Sequence, residues 1–411
     1  MNKPLENSDR LQYLVAARAL ALLLGIVFHA SLSFMPMFIG WAVMDISTSS
    51  TVTLLVLVSH SFRLELFFLL AGYFSRMSCN RRGGYEFIKS RLLRLAMPFC
   101  LGWFVLRPLL VSGWQMGAQS MQGEVNVKNA LDSAIATLTA IPKDLFVGTH
   151  LWFLYYLLLI SFIVLVARYI VGLNTNLKKS VSSLLYLTIA AVCKSRYSLF
   201  ILALPAATIL WFMQTWGVDT PDKSLIPDAA VTLLYGYFFA FGWLLQGRQT
   251  LLQAFIQLNL SRVFICAIAI AITCWLSQYQ MEKGHYYYVL LKFGFVITYA
   301  AMMWSLVSIV LGLCERFLNK PDKKLQYLAE ASYWLYLIHL PIVIWLQIAF
   351  AELPLHWSVK LASICVITVG LSLMLYEFFV RSTFIGKALN GKRLQRSFLK
   401  LRFFSGQLRR R

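Results

Sequence analysis

The sequence predicts an all-α, polytopic membrane protein of about ten transmembrane helices with both termini in the cytoplasm. Of its 411 residues, 59% are hydrophobic and only 13% are charged, whereas about 25% are charged in a soluble domain. The apolar residues form many separate runs, each near the ~20 residues that a helix needs to cross a bilayer. Lys and Arg concentrate in alternate connectors between these runs. Together these observations define the fold class.

Ten apolar runs mark the predicted spans. The fifth run is too long for one straight helix, and the sequence CKSRYS (193–198), followed by Pro205, predicts a break inside it. The ten runs cover approximately residues 12–34, 51–74, 95–112, 150–167, 181–213, 230–247, 263–279, 289–313, 327–350 and 358–380.

The connectors alternate in charge along the chain. Residues 75–94 carry six Lys or Arg, whereas residues 35–50 carry none. Because positive charge favours the cytoplasmic side, this alternation places both termini inside and requires an even number of spans. We predict a transmembrane domain over 1–380 and a basic cytoplasmic tail over 381–411. The tail either binds anionic lipid or is a solvated run of charge.

The net charge of +21 would suggest nucleic acid as a partner in a soluble protein. Here the alternation across the membrane explains the charge, so we expect no nucleic-acid partner. The seven cysteines lie in or beside apolar runs without the spacing of metal ligands. We therefore expect neither a disulfide framework nor a metal site.

The first span holds two ionisable residues that need an explanation. Arg18 and His29 are eleven residues apart, so they share one helix face with a rise of roughly 16 Å between them. Histidine exchanges protons near neutral pH, and an arginine on the same face suits an anionic ligand. A histidine bonded across the bundle and a snorkelling arginine explain the pair equally well.

The second span adds His60, Arg63 and Glu65 near its predicted outer end. Glu65 is expected to pair with one of the nearby cations, either as part of a substrate site or as a salt bridge that sets helix register. The third span begins with Arg91 and Arg94, which are neighbours on one face of a regular helix. Two guanidiniums at this spacing suit a phosphate, although cytoplasmic anchoring also explains them.

Five further residues join the candidate set. His150 and Trp152 open the fourth span, where interfacial anchoring is the alternative to a site. Tyr336 and His339 lie on nearby turns of the ninth span. Glu377, near the inner end of the tenth span, has Arg381 as its expected structural partner.

The pattern resembles the integral-membrane acyltransferase-3 family. That family has a basic residue, ten intervening residues and a histidine on its first span, matched by Arg18 and His29, and an RxxR on its third, matched by Arg91 and Arg94. The segments FFLLAGYFS, HLWFL and LYLIHLP follow in the family's order. Within the family, HSFRLELFFLLAGYFS, ASYWLYLIHLPI and LYEFFVR are most similar to the branch that succinylates osmoregulated periplasmic glucans.

The resemblance implies a succinyltransferase of the bacterial inner membrane. The donor is succinyl-CoA from the cytoplasm, held by Arg18, Arg91 and Arg94, and the acceptor is a periplasmic glucan. His29 is the expected catalytic residue. The remaining candidates line the substrate path or support it, and other glucan-synthesis enzymes are possible partners. No tightly bound cofactor is expected.

Two positions depart from the family pattern, and three other functions compete. Val15 stands where an acid commonly precedes the arginine, and Ala71 replaces the serine of FFxxSG. O-acetylation of another exported polysaccharide or lipid-linked sugar is the alternative reaction. A transporter of glucan or organic anions would use the same ionisable residues, but the chain shows no internal repeat. A structural subunit would not explain the polar faces.

Overall fold

The computed structural model describes residues 12–123, 125–139, 149–222, 224–391 and 393–395. Helices account for nearly all the regular structure of this part of the chain, and it contains no β-strand. The chain termini, and with them most of the predicted basic tail, lie outside the described residues.

Fifteen α-helices follow one another in the described ranges. They are α1 (Gln12–Ser31), α2 (Ser50–Arg82), α3 (Gly84–Arg91), α4 (Met97–Ser120), α5 (Val127–Thr139), α6 (Trp152–Gly172), α7 (Thr175–Lys194), α8 (Ser198–Trp211), α9 (Ala229–Leu245), α10 (Gln249–Ile256), α11 (Leu260–Ser277), α12 (Tyr288–Phe317), α13 (Lys323–Phe350), α14 (Trp357–Leu375) and α15 (Phe384–Asn390). Short 3-10 turns occupy Leu32–Phe34, Thr149–Leu151 and Gln278–Met281, and π-turns occupy Leu92–Ala96 and Tyr376–Val380.

The helices agree with a polytopic membrane protein. Within the described ranges, eight helical segments are long and apolar enough to cross a bilayer, and the bent pair α7 and α8 makes a ninth if it is one span. The shorter apolar helix α9 coincides with the predicted sixth span. Large apolar side chains remain more than half exposed on several spans, as lipid contact requires, including Phe104, Val105, Phe162, Phe264 and Val366.

The predicted break in the fifth span is confirmed. The chain bends by 118° between α7 and α8. The bend lies between Lys194 and Ser198, inside the CKSRYS sequence. Pro205 does not cause the bend, because it lies within α8.

The basic segment 75–94 is helical and not an open connector, which corrects the predicted limits of the second and third spans. Helix α2 continues to Arg82, and α3 begins at Gly84. Gly83 makes the turn with a φ of 82°, a conformation that glycine adopts without steric cost. The basic residues thus extend the helix ends beyond the apolar stretch.

The chain forms two compact units. The described residues of the first unit are 12–24, 53–89, 149–222 and 224–326, and those of the second are 25–52, 90–123, 125–139, 327–391 and 393–395. The boundary at Gly25 falls inside α1, so the first span contributes to both units.

Two glycines allow α2 and α9 to pack backbone against backbone in the first unit. A Cβ at Gly72 would overlap the carbonyl of Phe239, and a Cβ at Gly242 would overlap the carbonyl of Leu69. Lipid chains are as apolar as the side chains, so close packing of this kind drives helix association in a membrane. The glycine of FFLLAG therefore has a packing role, and Ala71 beside it is buried.

The second unit packs a connector against its helices. Ala42 joins a buried cluster with Leu110, Leu340 and Ile344. A Cβ at Gly117 of α4 would overlap the Ala42 carbonyl. The connector between the first two spans is thus part of the core of this unit.

We predict that Gly242→Ala destabilises the protein by at least 1–3 kcal/mol, because the methyl group must displace the Leu69 backbone. Gly236→Ala on the same helix is the control, since a Cβ there meets no atom within 4 Å. Thermal unfolding of the full chain in detergent measures both. Equal unfolding temperatures for the two variants would contradict the close approach of α2 and α9.

Candidate functional site

The two residues of the first-span pattern lie on α1, as predicted. The Arg18 guanidinium lies over the Phe74 ring at 5.6 Å, and both residues belong to the first unit. His29 lies near the carboxyl end of α1 and belongs to the second unit.

The His29 imidazole lies among aromatic rings of the second unit. Trp41 stacks on it with ring centroids 5.7 Å apart and planes 16° from parallel. His339 lies 5.3 Å away at a tilt of 42°, and Phe28 meets the ring edge-on at 5.1 Å. The structure therefore brings together His29 and His339, which the sequence places more than 300 residues apart.

Gln347 connects Trp41 with the main chain at His29. Its Oε1 accepts a hydrogen bond of 2.9 Å from the Trp41 indole. Its Nε2 donates bonds of 3.0 Å to the carbonyls of His29 and Ala30. The side chain is fully buried, at 1% exposure, so these three bonds fix the direction of its amide group.

His339 has a defined tautomer. Its Nδ1 lies 2.7 Å from the Tyr336 carbonyl, which can only accept, so Nδ1 carries a proton. The neutral ring therefore has its acceptor at Nε2. Tyr336, the other ninth-span candidate, thus acts on His339 through its main chain, and its ring lies 6.1 Å from the imidazole.

The connector of residues 35–49, here called the strap, is anchored by a buried ion pair. Lys360 Nζ lies 2.7 Å from Asp45 Oδ1, with the two side chains 0% and 2% exposed. Lys360 also donates to the Ala351 carbonyl at 3.1 Å. Burial raises the pKa of the Asp45 carboxyl, and the Lys360 ammonium opposes that rise. Backbone bonds of 2.9 Å from Asp45 to Ser33 and from Ser49 to Phe34 complete the anchoring.

Arg91 and Arg94 also belong to the second unit, but not on one regular helix. Arg91 ends α3 and Arg94 lies in the π-turn that follows. The Tyr333 hydroxyl donates to the Arg94 carbonyl. The guanidinium of Arg94 lies against Gly391, where a Cβ would overlap it. The start of the predicted tail therefore contains helix α15. Gly391, directly after that helix, contacts the candidate donor residue Arg94.

Glu377 has structural partners near the amino-terminal end of α13, away from His339. Tyr327 donates to its Oε2 at 3.1 Å, and the expected partner Arg381 lies 3.9 Å away. Arg381 also approaches Glu330 at 3.7 Å. Tyr327 and His339 are separated by roughly 18 Å along the helix, so Glu377 is not part of the group around His29.

The other candidates form a polar group in the first unit. Glu65 is fully buried, and its carboxylate oxygens make no hydrogen bond within the described part of the chain. Arg63, which is 7% exposed, and the hydroxyls of Tyr235 and Tyr299 are its electrostatic neighbours. His60 Nε2 lies 3.3 Å from the Thr220 hydroxyl. Glu65 forms no salt bridge in these ranges, which differs from the expected close pair.

His150 and Trp152 enter the same unit at the start of α6. His150 is 8% exposed and follows Thr149, which has a φ of 46°. A positive φ is unusual for a β-branched residue and marks a constrained turn. Trp152 lies 6.0 Å from the Tyr235 ring, so it packs inside the unit rather than serving as an exposed interfacial anchor.

Sequence reasoning missed Trp41, Gln347, Asp45 and Lys360. A signal existed for two of them, because a lysine and a glutamine inside apolar runs need partners there. Trp41 gave no signal, since a tryptophan in a connector is common at a membrane surface. Among the described residues, no three His, Cys, Asp or Glu side chains are arranged as metal ligands.

The helices and their buried polar groups define a multi-pass membrane protein, and its second unit gathers aromatic and polar side chains around His29. The acyltransferase-3 family, described as an acyltransferase domain, matches residues 11–377. The chain belongs to this family, and it is a membrane acyltransferase.

The chain is similar along nearly its whole length to family members named glucans biosynthesis protein C. It is 27% identical to glucans biosynthesis protein C of Salmonella paratyphi A over 399 residues, 94% of this chain and 96% of the relative. It is 26% identical to the protein of that name, OpgC, from Escherichia coli K12 over 404 residues, 94% of this chain and 95% of the relative. The resemblance expected from the sequence motifs is confirmed. No solved structure matches the chain.

We predict that Lys360→Met lowers the free energy of unfolding by about 3 kcal/mol, because it leaves the buried Asp45 carboxylate unpaired. The double variant Asp45→Asn/Lys360→Met should recover most of this loss, since neither partner then carries an uncompensated charge. Thermal unfolding in detergent compares the two. If the double variant were no more stable than Lys360→Met, the ion pair would not be what anchors the strap.

Proposed function

We propose that this protein is an O-acyltransferase of the bacterial inner membrane that moves a succinyl group from cytoplasmic succinyl-CoA to hydroxyls of periplasmic glucans. Family membership and the relatives named for glucan biosynthesis support the reaction class and the acceptor. The observation that carries the proposed chemistry is the environment of His29, whose ring stacks with Trp41 and lies close to His339. Glucan-synthesis enzymes are proposed partners.

His29 is the general base in this proposal. It takes the proton of a sugar hydroxyl as the hydroxyl oxygen attacks the thioester carbonyl. The carbon–sulfur bond then breaks, the CoA thiolate takes the proton back from the imidazolium, and the new ester stays on the sugar. The Gln347 side chain holds the main chain at His29 through a hydrogen bond to its carbonyl. This supports the role, because a general base must keep its position through the transfer.

Arg91, Arg94 and Arg18 are the proposed donor residues. A guanidinium forms paired hydrogen bonds with phosphate oxygens, and CoA carries several phosphate groups. Arg91 and Arg94 are half-buried, which supports a bound anion better than fully solvated arginines would. The roughly 16 Å between Arg18 and His29 along α1 suits an extended pantetheine arm.

The second carboxylate of the succinyl group distinguishes this donor from acetyl-CoA. Arg63 and His150 are its proposed partners, since a charge-assisted bond to carboxylate favours succinate over acetate. Arg63 already has the buried Glu65 side chain as an electrostatic neighbour, so a second carboxylate would compete with Glu65 for the Arg63 guanidinium. That competition is the specific reason to keep acetyl transfer to another exported polysaccharide as the second candidate.

We predict that Gly391→Ala raises the KM for succinyl-CoA severalfold, because the methyl group displaces the Arg94 guanidinium. Gly247→Ala is the matched control: the φ values are 80° and 79°, and a Cβ at Gly247 meets no atom within 4 Å. Both variants therefore carry the same backbone strain of about 1–2 kcal/mol. Steady-state kinetics with purified protein measures the KM. An equal change in both variants would remove the support for Arg94 as a donor residue.

We predict that His29→Ala abolishes glucan succinylation in cells with matched protein levels in the membrane. Intact protein should yield glucans with base-labile anionic groups, identified as succinyl by mass, and the variant should yield neutral glucans. His285→Ala, at a half-buried histidine of the first unit, away from the group around His29, is the control and should behave like the intact protein.

Two outcomes would contradict this proposal at different points. If His29→Ala cells still made succinylated glucans, His29 would not be the base. If intact protein gave acetylated glucans or an acylated polymer of another kind, the donor or the acceptor would be wrong while the reaction class would stand.

A further inference from the structure

We propose that Gln347 and Trp41 form a clamp that positions His29 for proton transfer and stabilises its protonated form. The inference rests on the proposed function of His29 as general base. Trp41 covers a face of the imidazole, and Gln347 binds both the Trp41 indole and the main chain at His29. Neither residue belongs to the motifs that indicate the family.

The Gln347 amide is suited to this task because each of its ends is used. Its Nε2 donates to two carbonyls in the last turn of α1, where helix carbonyls lack intrahelical partners. Its Oε1 then faces the strap and accepts from Trp41. One rigid group therefore sets both the end of the helix that carries His29 and the plane of the ring that lies against it.

Trp41 contributes electrostatics as well as shape. The face of an indole ring is electron-rich and attracts a cation within about 6 Å. A parallel ring at 5.7 Å therefore favours the imidazolium of His29 over the neutral imidazole. Because His29 is charged only after it has taken the hydroxyl proton, this interaction strengthens during the reaction, which is the condition for a rate effect.

The strap holds Trp41 in place. Its buried ion pair joins Asp45 to Lys360, and Ala42, next to Trp41 in the chain, packs directly on the backbone at Gly117. Trp114 meets the Trp41 ring edge-on at 5.3 Å. A connector anchored at so many points presents its indole in one orientation, so we assign Trp41 and Gln347 as positioning residues.

The test compares kcat and KM of four variants of the full chain in detergent, with succinyl-CoA and glucan as substrates and release of the CoA thiol as the readout. Trp41→Leu and Gln347→Met should each lower kcat by about tenfold or more, equivalent to about 1.4 kcal/mol, with the donor KM within twofold. Trp41→Phe keeps an aromatic face and should lose less than Trp41→Leu. The double variant Trp41→Leu/Gln347→Met should lose little beyond the worse single variant.

Trp345→Phe is the matched control. Trp345 lies on α13, the helix that also carries Gln347. In the native protein the Trp345 indole donates a comparable hydrogen bond of 3.2 Å, to the Leu109 carbonyl, and the variant removes it. The control should keep kcat within twofold. If Gln347→Met does not reach the membrane, the comparison of Trp41→Phe with Trp41→Leu still decides the role of the ring.

The outcomes separate the clamp from the proposed function. If His29→Ala is inactive but Trp41→Leu and Gln347→Met keep kcat within twofold, the clamp is wrong and the role of His29 stands. Losses that multiply in the double variant, or equal losses in Trp41→Phe and Trp41→Leu, would also overturn the clamp. If His29→Ala retains full activity, His29 is not the general base, and the clamp fails with that role, while the succinyl transfer itself stands.

Discussion

The lack of hydrogen-bonding partners in hydrocarbon is the constraint on which the rest of this structure depends. A polar group inside a bilayer must find its partner within the protein. The helices meet that requirement for the backbone. The buried polar side chains meet it in different ways: Lys360 pairs with Asp45, and Gln347 satisfies the last turn of α1 while binding Trp41. Glu65 stands apart, because its carboxylate makes no hydrogen bond in the described ranges.

The same constraint explains why a connector packs against His29 and the helices of the second unit. The strap brings Asp45 to Lys360 and Trp41 to Gln347, so two polar side chains of apolar helices are satisfied by residues from outside those helices. His29 then gains a stacked indole from a segment that is only a few residues further along the chain. In the second unit, the contacts that stabilise the buried polar groups also shape the surroundings of His29.

The sequence predicted the helices well because their signal is local. Apolar runs of bilayer length and the break at CKSRYS both depend on neighbouring residues, and both are confirmed. Helix ends were less predictable. Arg76, Arg81 and Arg82 read as a connector, yet they continue α2, because a helix can extend past the apolar stretch into the polar boundary. The pairing of Glu377 with Arg381 was also predictable, since residues four apart share a helix face.

The sequence by itself determined the membrane fold class and the family, since both depend on composition and on motifs read in order along the chain. Only the tertiary structure decided which residues surround His29. His339, Gln347 and Trp41 come from a distant helix and a connector, and no periodicity relates such positions. Their meeting depends on how helices approach one another, which is set by glycines and by the need to pair buried polar groups. Those contacts are properties of the packed chain and are not encoded in any local pattern.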